Sequence, residues 1–180
     1  MSKSTNSQTG IVSRATFKLA ITSVMTALIA VTTILSIPMP FPLSALTLAP
    51  IVIFVTGILL GPVPALICSG IGSGIGFLGG ANLGTIYVLP GYLEIFLVGI
   101  IIARAPMGLS VGLLRKKDEI IAMTVGVFVE TAIFFIADLY LFGFPGALIT
   151  LGTLIDLVYV SITYNVLKGI RKILNITYLA

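Results

Sequence analysis

Histidine is missing from this chain altogether, tryptophan too, and there is one cysteine, Cys68. The absence of histidine removes the commonest general base, the commonest metal ligand and every Ser-His or Cys-His catalytic pair. One cysteine allows no disulfide within the chain and no thiolate metal cluster. Charge is scarce as well: 9% of the 180 residues are charged, against 58% hydrophobic. Soluble domains carry about 25% charged residues. The composition therefore predicts a multi-pass protein of the cell membrane, in contact with lipid, and no cofactor.

Basic residues are missing from one long stretch. No Lys or Arg occurs over the 85 residues Leu19–Ala103. The basic residues form three clusters: Lys3, Arg14 and Lys18; Arg104, Arg115, Lys116 and Lys117; and Lys168, Arg171 and Lys172. Short cationic loops stay cytoplasmic, so an even number of crossings separates each pair of clusters. The net charge of +4 sits in these juxtamembrane clusters, so no nucleic-acid partner is implied.

Apolar runs and breakers then predict six transmembrane helices with both termini cytoplasmic. The helices are expected at Leu19–Ile37, Ala45–Leu60 (kinked at Pro50), Ala65–Leu78, Ile86–Ala103, Glu119–Phe142 and Ala147–Leu167. The first run is too long for a signal-peptide core and reads as a retained helix. Residues 1–14 read as a disordered cytoplasmic tail, and 15–180 as one transmembrane domain. Three connections face outward, Ser36–Ser44, Gly79–Thr85 and Gly143–Gly146, and none carries a charge. Arg104–Asp118 reads as a cytoplasmic loop whose apolar middle lies on the membrane surface. Asp118 is placed to cap the fifth helix.

Four acids carry the chemistry. Glu94, Glu130 and Asp156 are expected near the middles of helices four, five and six, and Asp138 near the outer end of the fifth. An acid in hydrocarbon costs about 2.5–3.5 kcal/mol on insertion scales, and no basic residue is expected at that depth. Such acids either join helices as polar contacts or meet a ligand. Helical spacing puts Thr131, Phe134, Phe135 and Asp138 on one face, Asp156, Tyr159 and Thr163 on another, and Tyr87 with Glu94 on a third. Rings beside carboxylates suit a small-molecule pocket, although Tyr87 and Tyr140 also fit an interfacial aromatic belt. Asn82, in a charge-free outer loop, can supply an amide to a pocket opening outward. A stripe of small residues, Ala20, Ser23, Ala27 and Ala30, allows close approach by another helix, of this chain or of a separate subunit. The glycines of Cys68–Gly80 include GxxxG spacings suited to close packing and match no phosphate loop.

Two segments carry a family resemblance. LTLAPIVIFVTGILLGPVPALICSGIGSGIGFLG (Leu46–Gly79) is followed by YVLPGYLEIFLVGIIIAR (Tyr87–Arg104). A helix with an internal proline, a G-I-L-L-G-P turn, a glycine-rich helix and an aromatic-x-x-Pro-Gly opening resemble the substrate-binding S components of energy-coupling factor (ECF) vitamin transporters. The folate and hydroxymethylpyrimidine group is the most similar. The resemblance implies an ABC-type importer subunit, not an enzyme. Such a subunit captures a vitamin or precursor outside, docks on a transmembrane T component with two cytoplasmic ATPases, and topples to release it inside. It implies that the small stripe of the first helix is the docking face, although no strict Ala-x-x-x-Ala occurs. Ser73 stands where many relatives have Asp. The missing Trp and His argue against thiamine, and the missing His against a metal ion. With no Arg or Lys expected in the pocket, the acids suggest a neutral or cationic nitrogen-bearing ligand. The residues also leave open a self-sufficient carrier that relays protons through Glu94, Glu130 or Asp156.

Overall fold

A computed structural model describes residues 5–38, 45–88 and 90–174. These are almost wholly helical: α1 (Thr5–Ile34), α2 (Ala49–Leu60), α3 (Pro62–Leu83), α4 (Leu93–Leu114), α5 (Glu119–Thr150) and α6 (Asp156–Leu174). A two-residue antiparallel ribbon, β1 (Ile37–Pro38) with β2 (Ala45–Leu46), precedes α2. A 3-10 turn, Leu151–Ile155, precedes α6.

Four stretches are long and apolar enough to cross a membrane: Thr16–Ile34, Pro62–Leu83, Leu93–Leu114 and the 54-residue run Glu119–Lys172. Their outer surface is apolar, with Leu19, Val24, Val63, Ile71, Val98, Leu113 and Ile136 all more than half exposed. A surface of that kind suits lipid rather than water, so the protein is membrane-embedded by length and composition.

Several boundaries differ from the sequence pattern, each for a local reason. α1 starts at Thr5, inside the stretch expected to be a tail. Pro50 does not kink α2 but occupies its first turn, where a missing N–H costs nothing. Pro62 likewise opens α3, so Gly61 alone makes the α2–α3 turn, at φ 93°. α3 continues to Leu83, through residues expected to be loop, and stops at Gly84 with φ 73°. α4 starts seven residues late and runs on to Leu114, absorbing the expected cytoplasmic loop and holding Pro106 inside it. Arg104 is therefore a mid-helix residue, not a loop residue. Asp118 does cap α5, accepting from Ile121 N at 2.9 Å. Gly143 (φ 70°) breaks α5 where the GFPG turn is expected.

Close approaches fix the helix directions. Cys68 lies by Thr22, Gly72 by Thr26 and Ile29, and Gly76 by Ala30 and Thr33, so α1 and α3 run parallel. A Cβ on Gly76 would sit 2.5 Å from Thr33 Cβ and 2.6 Å from the Ala30 carbonyl, which is why that position needs glycine. Gly74 meets Ile101, Gly70 meets Ala105, and Gly108 meets Ser69, so α3 and α4 run antiparallel. Gly126 against Val111, and Glu130 against Arg104, make α4 and α5 antiparallel too. Arg171 on α6 bonds Glu119 on α5, and Arg115 donates to the Ile58 and Leu59 carbonyls at 3.4 Å. One end of the bundle thus gathers the start of α1, the Gly61 turn, the α4–α5 turn and the end of α6, with their basic residues. The opposite end is held by Ser36 donating to the Thr85 carbonyl (3.0 Å) and Thr85 to the Ile34 carbonyl (2.9 Å).

α2 stands apart. Its 12 residues reach about 18 Å, roughly half a bilayer's hydrocarbon core. Nearly all are buried, including Ile53, Phe54 and Ile58 at 0% exposure. It fills the centre of the bundle at the basic end only.

Candidate functional site

The space that α2 leaves unfilled is a cavity of about 570 Å³. Leu46 and Thr47, just before α2, line it, so the cavity begins where the half-length helix does. Its walls are mostly apolar and include Phe77, Ile86, Phe96 and Phe134. Its polar groups are Thr47, Arg104, Glu130, Asp138, Tyr140, Thr150, Thr153 and Asp156. At the end away from the basic clusters Phe96 stacks on Phe142 (6.1 Å between centroids, 21° between planes), and Tyr92 leans on both. A volume of several hundred Å³ with apolar walls and few polar groups is the usual form of a small-molecule site.

Arg104 organises the floor. Its Nε donates to Glu130 Oε1 at 3.1 Å. One terminal nitrogen donates to the Thr33 and Ser73 hydroxyls at 3.3 and 3.4 Å, and the other to Thr47 at 2.8 Å. A single α4 side chain thereby joins α1, α3, α5 and Thr47, two residues before α2. A guanidinium has the forked geometry to do this, and an ammonium does not. Eleven residues separate Arg104 from Arg115, about 16 Å of helix, so the group lies well inside the bundle. This overturns two expectations: that no basic residue stands at the depth of the acids, and that the pocket holds no Arg. Pro106 makes the stretch look like a loop opening, but a proline is tolerated within a membrane helix whose neighbours satisfy the freed carbonyl.

Glu130 is 2% exposed, and Asp156 is its second side-chain partner beside Arg104. The Asp156 carboxyl stands within electrostatic reach of both Glu130 and Arg104. Asp138 accepts a short hydrogen bond from Thr150, and Thr131 and Thr153 share one at 2.9 Å. These bonds tie the turn after Gly143 back to α5.

Of the candidate residues, Glu130, Phe134, Asp138 and Asp156 converge on the cavity. The other four do not line it. Asn82 is exposed on the last turn of α3 rather than in a loop. Tyr87 precedes α4 and is 64% exposed, as a belt residue would be. Glu94 is in the first turn of α4, exposed, and not at mid-helix. Tyr159 is buried in the core beside Val160 and Leu167. Phe135 is not among the lining residues, though Tyr140 is, at the rim and 90% exposed. Arg104, Thr47, Phe77 and Phe96 belong to the site although the acid and aromatic spacings do not reveal them. On α1, Ala20, Ser23 and Ala27 are exposed, whereas Ala30 is buried against α3. Among the described residues no group of His, Cys, Asp and Glu is arranged to hold a metal ion. Comparison with protein-family models, with curated proteins and with solved structures finds no match to this chain.

Proposed function

We propose that the protein is the substrate-capturing S component of an ECF-type importer, taking up a water-soluble vitamin or vitamin precursor. The chain crosses the cell membrane six times with both termini cytoplasmic, α2 being a short central helix. The cavity carries this reading. It lies in the half of the bundle away from the basic clusters, and the one-sided basic residues assign that half to the outside. The reading also draws support from the small stripe of α1, where Ala20, Ser23 and Ala27 face outward and leave room for a T-component helix. Two cytoplasmic ATPases would complete the complex.

The test is in two parts. Native mass spectrometry of the purified protein should find a small molecule bound one to one, and co-expression with a T component and ATPases should give a stable complex that transports it. Transport by the chain alone would sink the proposal. A second reading, a proton-coupled carrier, is favoured by one observation: Glu130 and Asp156 are buried side by side. Uptake into vesicles holding only this protein, abolished by an uncoupler, would establish it.

A further inference from the structure

Resting on the membrane-embedded fold and not on the importer reading, we infer that the seam between α4 and α5 is a lateral window through which an acyl chain of a membrane phospholipid enters the cavity. The lining takes in two sides of α4. Arg104 and Ile100 line the cavity from the inner side, yet Ile95, Val98 and Ile102 line it too. Ile95, Ile102 and Leu113 stand two and three helical turns apart, so they fall on one line along α4. Leu113 is 63% exposed on the outer surface of the bundle, and Ile95, Val98 and Ile102 are exposed as well. The cavity therefore reaches past α4 to its lipid side.

The passage lies toward α5 rather than α3. On the α3 side, Gly70 meets Ala105 and Gly74 meets Ile101, which closes that seam. On the other side Ile133, Ala137 and Tyr140 of α5 line the cavity. They lie two, three and four turns beyond Gly126, which packs on Val111 of α4, so they continue the face that α5 turns toward α4. Between the helices, a Cβ on Gly99 would meet nothing within 4 Å. The seam is shut below by the Arg104–Glu130 bond and above by Phe96 and Tyr92 against Phe142. Eight residues separate Arg104 from Phe96, so the gap is about 12 Å tall. Apart from the Tyr140 hydroxyl, its edges are apolar and offer nothing to a polar solute. Outside it lies hydrocarbon, and apolar space left empty forfeits the dispersion contacts that a chain supplies.

The test uses the full-length protein in phosphatidylcholine vesicles carrying a trace of the same lipid with a diazirine midway along one acyl chain. After irradiation, mass spectrometry of peptides should find adducts on Phe77, which is 5% exposed and lines the cavity, as well as on the lipid-facing Ile71 and Ile136. Gly99→Phe fills the seam and should abolish the Phe77 adducts while leaving those on Ile71 and Ile136 unchanged. Ala137→Phe fills it from the α5 side and serves if the first variant does not fold. Adducts confined to Ile71 and Ile136, Phe77 adducts that survive both substitutions, or labelling of Phe77 by a free diazirine fatty acid but not by the phospholipid overturns the inference. Importer function is read separately. A protein whose cavity takes lipid but which transports solute alone keeps the window and loses the capture role. A protein that assembles with a T component and shows no interior adducts keeps the capture role and loses the window.

Discussion

Replacing Arg104 with Met should be among the most damaging single changes available to this protein. The guanidinium is 6% exposed, and its hydrogen bonds reach Thr33, Thr47, Ser73 and Glu130. Met keeps the length of the side chain but leaves the Glu130 carboxylate buried without its cation. Removing one partner of a buried ion pair costs about 3–5 kcal/mol. For a chain of this size each kcal/mol moves the midpoint by about 2–4 °C, so thermal unfolding in detergent should fall by on the order of 10 °C. Removing the acid as well reverses the sign of the second step. Arg104→Met with Glu130→Leu should recover most of the loss, because paired apolar replacement of a buried ion pair is often neutral or stabilising. Arg104→Lys should fall between, since the charge stays but the fork does not. The reasoning is refuted if Arg104→Met unfolds within about 2 °C of the parent, or if the double variant is no more stable than the single one.

Gly76→Val should destabilise by about 1–3 kcal/mol, because α1 must shift off α3, whereas Gly99→Ala, with open space around its Cβ, should be neutral or slightly stabilising; thermal shift compares them. Thr150→Val removes the bond that ties the turn after Gly143 to Asp138 and should raise amide exchange over residues 144–155 without changing it in α3. The proposed importer, if it topples, predicts that Leu83→Lys, at a position 70% exposed on the end away from the basic clusters, slows uptake by the full complex while leaving ligand binding intact; unchanged uptake would count against toppling. Gly80 would be a poorer place for that lysine, because its Cβ would meet Ile86 at 2.7 Å.

What the sequence discloses and what it hides divide along physical lines. Local signals hold: Asp118 as a cap, Gly143 as a break, and the glycines of α3 as a close-packing face all follow from the backbone needs of single residues. Helical spacing is only partly informative for α5 and α6: of the faces it groups, Phe134, Asp138 and Asp156 reach the cavity and Thr131, Phe135, Tyr159 and Thr163 do not, while Glu130 is legible only as an acid within an apolar run. Glu94 fails the same reasoning because its helix starts at Leu93, and a seven-residue shift moves a mid-helix acid into an exposed first turn. Arg104 fails because its neighbours mislead: Pro106 and the basic run at Arg115–Lys117 both suggest a loop. The apolar stretch Met107–Leu114 between them is the signal that α4 continues.

The buried Arg104 also changes what the one-sided charge pattern means. Scarcity of basic residues orients a chain in the membrane, but a basic residue at depth must earn its place through partners. Arg104 has four, on segments far apart in sequence, and they meet at the level where α2 begins and the cavity opens. Proline at position 50 fits the short helix, the short helix leaves the space, and the guanidinium closes the floor of that space. Glu130 and Asp156 stand side by side above that floor. Fold and proposed function therefore share the Arg104–Glu130 pair, and separating them experimentally requires Asp156 instead.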